Sequence, residues 1–187
     1  MGKEITDEEL MLGYRDGDSH AFEKLYLKHK GGLYRYFLQK CGNASIAEEL
    51  FQDVWMKLIK ARENYEVKAK FSTWLYQMAR NHFIDHYRKH SISVSMNQPI
   101  QGNELENIPA VNNQQPEQQV EYQQRAETLL QLISALPDEQ REAFLLREEA
   151  DMSLAEIAEV TGVNIETAKS RLRYAVNKIR NSLNSNE

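Results

Sequence analysis

Cys41 is the only cysteine in the 187 residues, so an internal disulfide is excluded, as is a zinc site built on cysteine thiolates. A partly buried, inert thiol is the expected state of that side chain. Long hydrophobic runs are missing too. The apolar stretches are only a few residues long, as in Ala143–Leu146, too short for a membrane-spanning helix. Met1–Leu10 is acidic and has no apolar centre of the kind a cleaved secretion signal needs. These absences point to the cytoplasm. No segment alternates polar and apolar residues with period two, so no sheet is expected. A phosphate-binding glycine loop and a nucleophile paired with a base are both absent. Catalysis is therefore not expected, and the chain calls for no cofactor. His82, His86 and His90 recur at i, i+4, i+8 and could present imidazoles on one helical face. There is no His-Glu-x-x-His motif and Asp85 lies off that face, so a solvated or DNA-facing helix end is the expectation rather than a metal site. Glu148, Glu149 and Asp151 read likewise as solvated carboxylates at a helix end.

Charge is present but unevenly placed. The formal net charge is −5, a poor start for a nucleic-acid binder, yet its distribution matters more than its sum. Met1–Leu25 holds seven acids against three Lys/Arg. Lys57–His90 reverses this, with eight Lys/Arg against three acids, and Asn164–Asn181 has five against one. Two basic islands thus sit in an acidic chain. The acidic remainder weakens indiscriminate DNA binding, which depends on neutralising many phosphates. Such a chain binds DNA well when something else holds it there.

Proline marks the organisation. Three of the four prolines, Pro99, Pro109 and Pro116, fall in Ser91–Val120, a stretch without Lys or Arg and rich in Asn and Gln. It shows no apolar periodicity and cannot bury enough surface to offset ordering entropy. The chain is therefore expected to be all-α, with two small helical domains at 1–92 and 122–187 joined by a flexible tether over 93–121. Thr6-x-x-Glu9 and Ser45-x-x-Glu48 read as capping boxes opening helices in the first domain. Gly31-Gly32 reads as an irregularity in the second helix, and Gly42-Asn43 as its stop. In the second domain a helix around Tyr122–Leu136 is followed by Pro137-Asp138. Another helix runs through Ala143–Arg147, Ser153-x-x-Glu156 caps a short one, and a long final helix covers about Ile165 to Leu183.

Two helices joined at Thr161-Gly162-Val163, with the small Ala158 four residues before the glycine, describe a helix-turn-helix. The last helix divides cleanly. Ile165, Ala168, Leu172, Ala175, Val176 and Ile179 form the expected buried stripe. Glu166, Lys169, Ser170, Arg173, Asn177 and Arg180 form the opposite face, with Arg171 and Tyr174 on the flanks. Donors on that face suit base edges and phosphates in a major groove. In the first domain Lys57–His90 interleaves cations with Tyr65, Phe71, Trp74, Tyr76, Phe83 and Tyr87. That mixture suits unpaired strands, where rings stack on bases and cations follow the backbone. Phe71 and Trp74 also fit the core stripe, whereas Lys68, Lys70, Arg80, Asn81 and Arg88 lie off it and are the better binding candidates.

Two long motifs complete the reading. Ala47-Glu48-Glu49-Leu50-Phe51-Gln52-Asp53-Val54-Trp55, then Phe71-Ser72-Thr73-Trp74-Leu75-Tyr76-Gln77-Met78-Ala79-Arg80-Asn81, resembles region 2 of the extracytoplasmic-function sigma factors. Leu136–Phe144 followed by Ser153–Arg173 resembles region 4 of the same family. The resemblance implies a promoter-specificity subunit of RNA polymerase. It implies that Glu49, Gln52, Asp53 and Lys57 meet core RNA polymerase, and that the loop Tyr65–Lys70 and the helix after it hold the melted −10 element, with Asn81 in the pocket for a flipped base. It further implies that Lys169, Ser170 and Arg173, with Glu166, Arg171 and Asn177 around them, face the −35 element of promoter DNA. An anti-sigma factor is the further partner it implies. The chain departs from the family in having Glu66-Val67-Lys68 where many relatives carry Arg-Gly-acidic, and Tyr174 where an arginine often stands. The competing reading from the residues is a free-standing helix-turn-helix regulator with a helical sensor domain, which would bind duplex DNA without polymerase.

Overall fold

The structure, a computed structural model, describes residues 5–94 and 116–184, with side chains described over 5–89 and 125–184. Its elements are α1 (Asp7–Arg15), α2 (Ser19–Cys41), α3 (Ala44–Ala61), a 3₁₀ turn (Arg62–Asn64), α4 (Phe71–Val94), α5 (Pro116–Ser134), α6 (Asp138–Ala150), α7 (Leu154–Thr161) and α8 (Ile165–Asn184). No strand occurs among the described residues. The expected tether falls largely on 95–115, outside the described residues, and α5 begins at Pro116, ahead of the expected start near Tyr122.

Local chemistry explains most helix ends. The Thr6 hydroxyl accepts from Glu9 N at 3.2 Å while Thr6 N donates to the Glu9 carboxylate at 2.9 Å, a closed capping box. Ser153 and Glu156 repeat it for α7. The expected box at Ser45 and Glu48 does not form. Gly42 ends α2 in the left-handed region (φ 62°), leaving Asn43 extended to cap α3, its Oδ1 accepting from Ile46 N at 3.0 Å. Ser45 is already inside the helix. The Gly31-Gly32 irregularity is absent as well, since α2 runs unbroken through both residues. The start of α4 is capped from a distance: Phe71 N donates to the Glu8 carboxylate at 2.6 Å, tying α1 to α4 across 63 residues.

The first four helices pack around Leu25, Leu33, Phe37, Leu50, Val54, Leu58, Phe71 and Leu75, all fully buried. A ring cluster of Tyr14, Phe22, Tyr26, Phe51 and Trp55 closes one end. In the second half α6 and α7 pack on α8, burying Ala143, Leu146, Ile157, Val160, Ala168, Ala175 and Ile179. Ile165 was expected in that stripe but is 51% exposed, because it opens α8 before the helix has reached its packing partners.

The two halves pack against each other. α6 lies along α2 and α7 meets α4, so one apolar cluster runs through both halves. The two small helical domains expected from the sequence are thus in contact among the described residues.

His29 is buried against Phe71 and shares Asp7 with Lys28, at 2.8 Å and 2.7 Å. Burial pushes the imidazole below its usual range of about 6.5, against the pull of the Asp7 carboxylate. The unfolded chain then binds a proton that the folded chain refuses, so stability is expected to fall as pH drops through 6.5. Asp7 itself is held below its ordinary value: its bonds to Lys28 and His29 outweigh burial, so its contribution is lost only at lower pH. Urea midpoints at pH 7.5 and 5.5 check this. His29→Gln should flatten the dependence over that interval.

Candidate nucleic-acid and polymerase surfaces

The helix-turn-helix is built as its residues require. Gly162 terminates α7 in the left-handed region (φ 70°), where an L side chain would be strained. Asn164 then opens α8, its Oδ1 accepting from Thr167 N at 2.7 Å. With Ala168, Ala175 and Ile179 turned inward, Glu166, Lys169, Arg173 and Asn177 are exposed together on the outer face. Ser170 is half-buried at its edge. The Arg173 guanidinium rests over the ring of exposed Tyr174, 5.1 Å from its centroid. Lys169 lies 4.0 Å from Glu166, a loose pair that leaves its ammonium available. Arg171 is drawn aside: its guanidinium meets Glu139 of α6 at 2.7 Å.

Glu49, Gln52, Asp53 and Lys57 lie together on the exposed face of α3, opposite Leu50, Val54 and Leu58. Gln52 donates to Glu48 at 2.7 Å, and Asp53 meets His82 of α4 at 2.9 Å. No cluster of three or more metal-ligating side chains occurs among the described residues, and the His90 side chain lies outside them.

The basic and aromatic stretch is divided by burial. Tyr65, Phe71 and Tyr76 are buried, and Trp74, Phe83 and Tyr87 half-buried. Tyr65 packs edge-on to Trp74 at 4.9 Å and Phe83 lies beside Tyr87 at 4.6 Å. The rings are engaged in packing, so stacking on open aromatic faces is not what this surface offers. Its cations are placed differently from one another. Lys68 is exposed and pairs with Glu66 at 2.8 Å, and Arg88 pairs with Asp85 at 3.2 Å. Lys70 and Arg80 reach across to the second half, to Glu156 at 3.0 Å and Glu142 at 3.2 Å. Asn81 is exposed.

Comparison with known proteins decides the family. Residues 25–92 match sigma-70 region 2, and residues 126–179 match sigma-70 region 4. The ECF RNA polymerase sigma factor RpoE of Cereibacter sphaeroides is 32% identical over 176 residues, covering 91% of this chain and 91% of that one. SigM of Bacillus subtilis, another ECF RNA polymerase sigma factor, is 30% identical over 160 residues, covering 86% and 93%. The chain belongs to the extracytoplasmic-function sigma factors of the sigma-70 family. The fold agrees. The sigma factor RpoE in complex with the anti-sigma factor NepR, from Bartonella quintana, superposes with a TM-score of 0.71 at 23% identity, covering 89% of this chain and 98% of that one. The family is one of non-enzymatic transcription initiation factors. No described helix is long and apolar enough to cross a membrane.

Within this sigma factor, the region 2 match takes in most of α2 with α3 and α4, and the region 4 match takes in part of α5, then α6, α7 and most of α8. Residue patterns did not reveal the charged seam between them. Glu149, expected in solvent, instead takes Arg35 through contacts of 2.7 to 3.0 Å. Lys40 is buried between Asp138 at 2.8 Å and Glu142 at 3.4 Å. These partners lie about a hundred residues apart, so no local spacing signals them. A hint existed in the two adjacent glycines inside α2, which a helix does not carry without a packing reason.

Proposed function

We propose that this sigma factor binds core RNA polymerase through α3 and directs promoter-specific initiation, region 4 reading duplex −35 DNA and region 2 holding the melted −10 strand. One observation carries the reading: a capped α7, a left-handed glycine corner and an α8 that exposes Lys169, Arg173 and Asn177 together on the face away from the core. That is the geometry by which a recognition helix enters a major groove. The side chains are donors suited to base edges and phosphates. The net charge of −5 fits a factor whose non-specific DNA affinity comes from polymerase, and two weak readers on one chain gain from effective concentration. An anti-sigma factor is proposed as a further partner, since the sigma factor RpoE, of similar fold, is seen in complex with the anti-sigma factor NepR, and CnrH, also of similar fold, with the cytosolic domain of CnrY.

The test is transcription from a promoter library by purified core polymerase with and without this chain. Start sites that appear only with the chain, sharing upstream motifs at two fixed distances, are expected. No initiation, with binding to duplex DNA but not to core polymerase, would favour a free-standing regulator instead. Asn81→Ala is expected to leave folding and polymerase binding intact, because Asn81 is exposed and such substitutions change stability by about 0.5 kcal/mol or less. Its amide can donate and accept at a base edge at once, so −10 recognition should weaken by about 1–3 kcal/mol. Open-complex formation on −10 variants is the measurement. A loss of polymerase binding instead would remove Asn81 from the −10 pocket.

A further inference from the structure

Ile165 is the first residue of α8 and leaves 51% of its surface exposed. Nothing at the helix start calls for an aliphatic side chain there. Asn164 supplies the cap, its Oδ1 accepting from Thr167 N at 2.7 Å, and Ala168 makes the inward contact of the first turn. A β-branched side chain gains a helix little, and its apolar surface is left in water, where burial would stabilise it. Of the large apolar side chains exposed on α8, Ile165, Tyr174 and Leu183, it is the one in the first turn.

Its neighbours around the helix are polar. Lys169 and Arg173 lie about 40° and 80° from Ile165 in an α-helix, and both are exposed. Glu166 beside it keeps 83% of its side chain in solvent. Ile165 therefore borders the outer face at its leading end, an aliphatic group next to an acceptor and two cations. In a helix-turn-helix the N-terminal residues of the recognition helix are the ones that reach base edges. The major-groove edges of the bases carry hydrogen-bonding groups and one apolar group, the C5-methyl of thymine. An isoleucine cannot hydrogen-bond, so the methyl is what it can read there.

We propose that Ile165 is a specificity-determining residue of this factor, packing against the C5-methyl group of a thymine in the −35 element beside the polar contacts of Lys169 and Arg173. The proposal rests on the reading that α8 enters the major groove at −35. Packing on the methyl removes apolar surface from water on both partners. Cytosine in the same place would turn its amino group toward an aliphatic side chain and leave a donor without a partner, which is costly once water is excluded. The −35 motif of this factor therefore contains a thymine, on one strand or the other, where the start of α8 meets the duplex.

A promoter recovered from the library with core polymerase supplies the probe. Each thymine of its −35 motif, on either strand, is replaced in turn by uracil, which removes the methyl and leaves base pairing intact. Binding is measured for core polymerase carrying the wild-type chain or Ile165→Ala. At one thymine, uracil is expected to weaken the wild-type complex about fourfold, the worth of one buried methyl group. The Ile165→Ala complex should bind the uracil and thymine forms alike there, and Ile165→Val should keep part of the difference. Melting temperature and affinity for core polymerase without DNA should stay close to wild type. An equal uracil penalty in both complexes overturns the proposal, as do no penalty at any thymine and a −35 motif without thymine. Weakened polymerase binding by Ile165→Ala overturns it too, making the residue a polymerase contact. Lys169→Ala tests the underlying reading separately. If it weakens dependence on the −35 sequence while uracil costs nothing, α8 reads the duplex and only the role of Ile165 falls. If neither variant changes that dependence, or the library yields no promoter, the reading of α8 falls and the proposal with it.

Discussion

Phe71→Ala is expected to destabilise region 2 by about 3–5 kcal/mol, the usual cost of emptying a fully buried phenylalanine site. Phe71 has no exposed surface and packs its ring against His29 at 5.1 Å and Trp74 at 6.0 Å. It is also the first residue of α4, whose N-terminus is anchored by Glu8 through the Phe71 amide. A cavity there loosens the junction of α1, α2 and α4. Domains of this size are stable by about 5–15 kcal/mol, so one substitution removes a large share of the margin. A shift of the urea midpoint without change in slope is the readout. A loss under about 1 kcal/mol together with weakened binding of single strands would make Phe71 a stacking surface instead of core.

Arg173→Ala carries the second large effect, on recognition rather than stability. The guanidinium is exposed and rests on the Tyr174 ring, an arrangement that orients it without burying it. Removing it should cost −35 recognition about 1–3 kcal/mol, or roughly 5- to 150-fold in affinity. Binding of the chain with core polymerase to promoters varied at −35 distinguishes two roles. If Arg173 reads a base edge, the loss is confined to promoters carrying that base and specificity relaxes there. If it holds a phosphate, all promoters weaken alike and the salt slope falls by about 1. Thermal stability should be unchanged in either case, and a large drop in melting temperature would mean that the residue serves packing.

The buried group at the seam, Lys40–Glu142–Arg80 with Tyr36, links the two regions through charges and one hydroxyl. Burying charges carries a desolvation cost that their attraction does little more than offset. Removing one member leaves the others uncompensated, which is the costly change. Each region also contributes its own buried residues to the common core. Leu25, Leu50 and Leu58 belong to the first, Ile157, Ala168 and Ile179 to the second.

Much of the molecule was legible in the chain itself. Apolar residues at i, i+3, i+4 and i+7 announced α3 from Ala47 to Leu58, and those positions are buried because a 3.6-residue period leaves them one face. The capping boxes at Thr6 and Ser153 and the glycine corners at Gly42 and Gly162 involve neighbours a few residues apart. Their chemistry is local, and they appear where it predicts. The exposed face of α8 followed from the same periodicity. Ser45 misled because two signals overlapped, and the glycine one position earlier made Asn43 the cap.

The sequence by itself determined the helices, their caps, the outward face of α8 and the family, since each is written in residues close enough to act on one another along one helix or in contiguous motifs. Only the tertiary structure decided that Glu8 would cap α4, that Tyr65 and Tyr76 would turn into the core, and that Arg80 and Lys70 would face carboxylates of region 4. The ion pairs and the cap among those outcomes join side chains and backbone 62 to 86 positions apart. Coulomb attraction and close packing act on distance in space, and spacing along the chain carries no record of it.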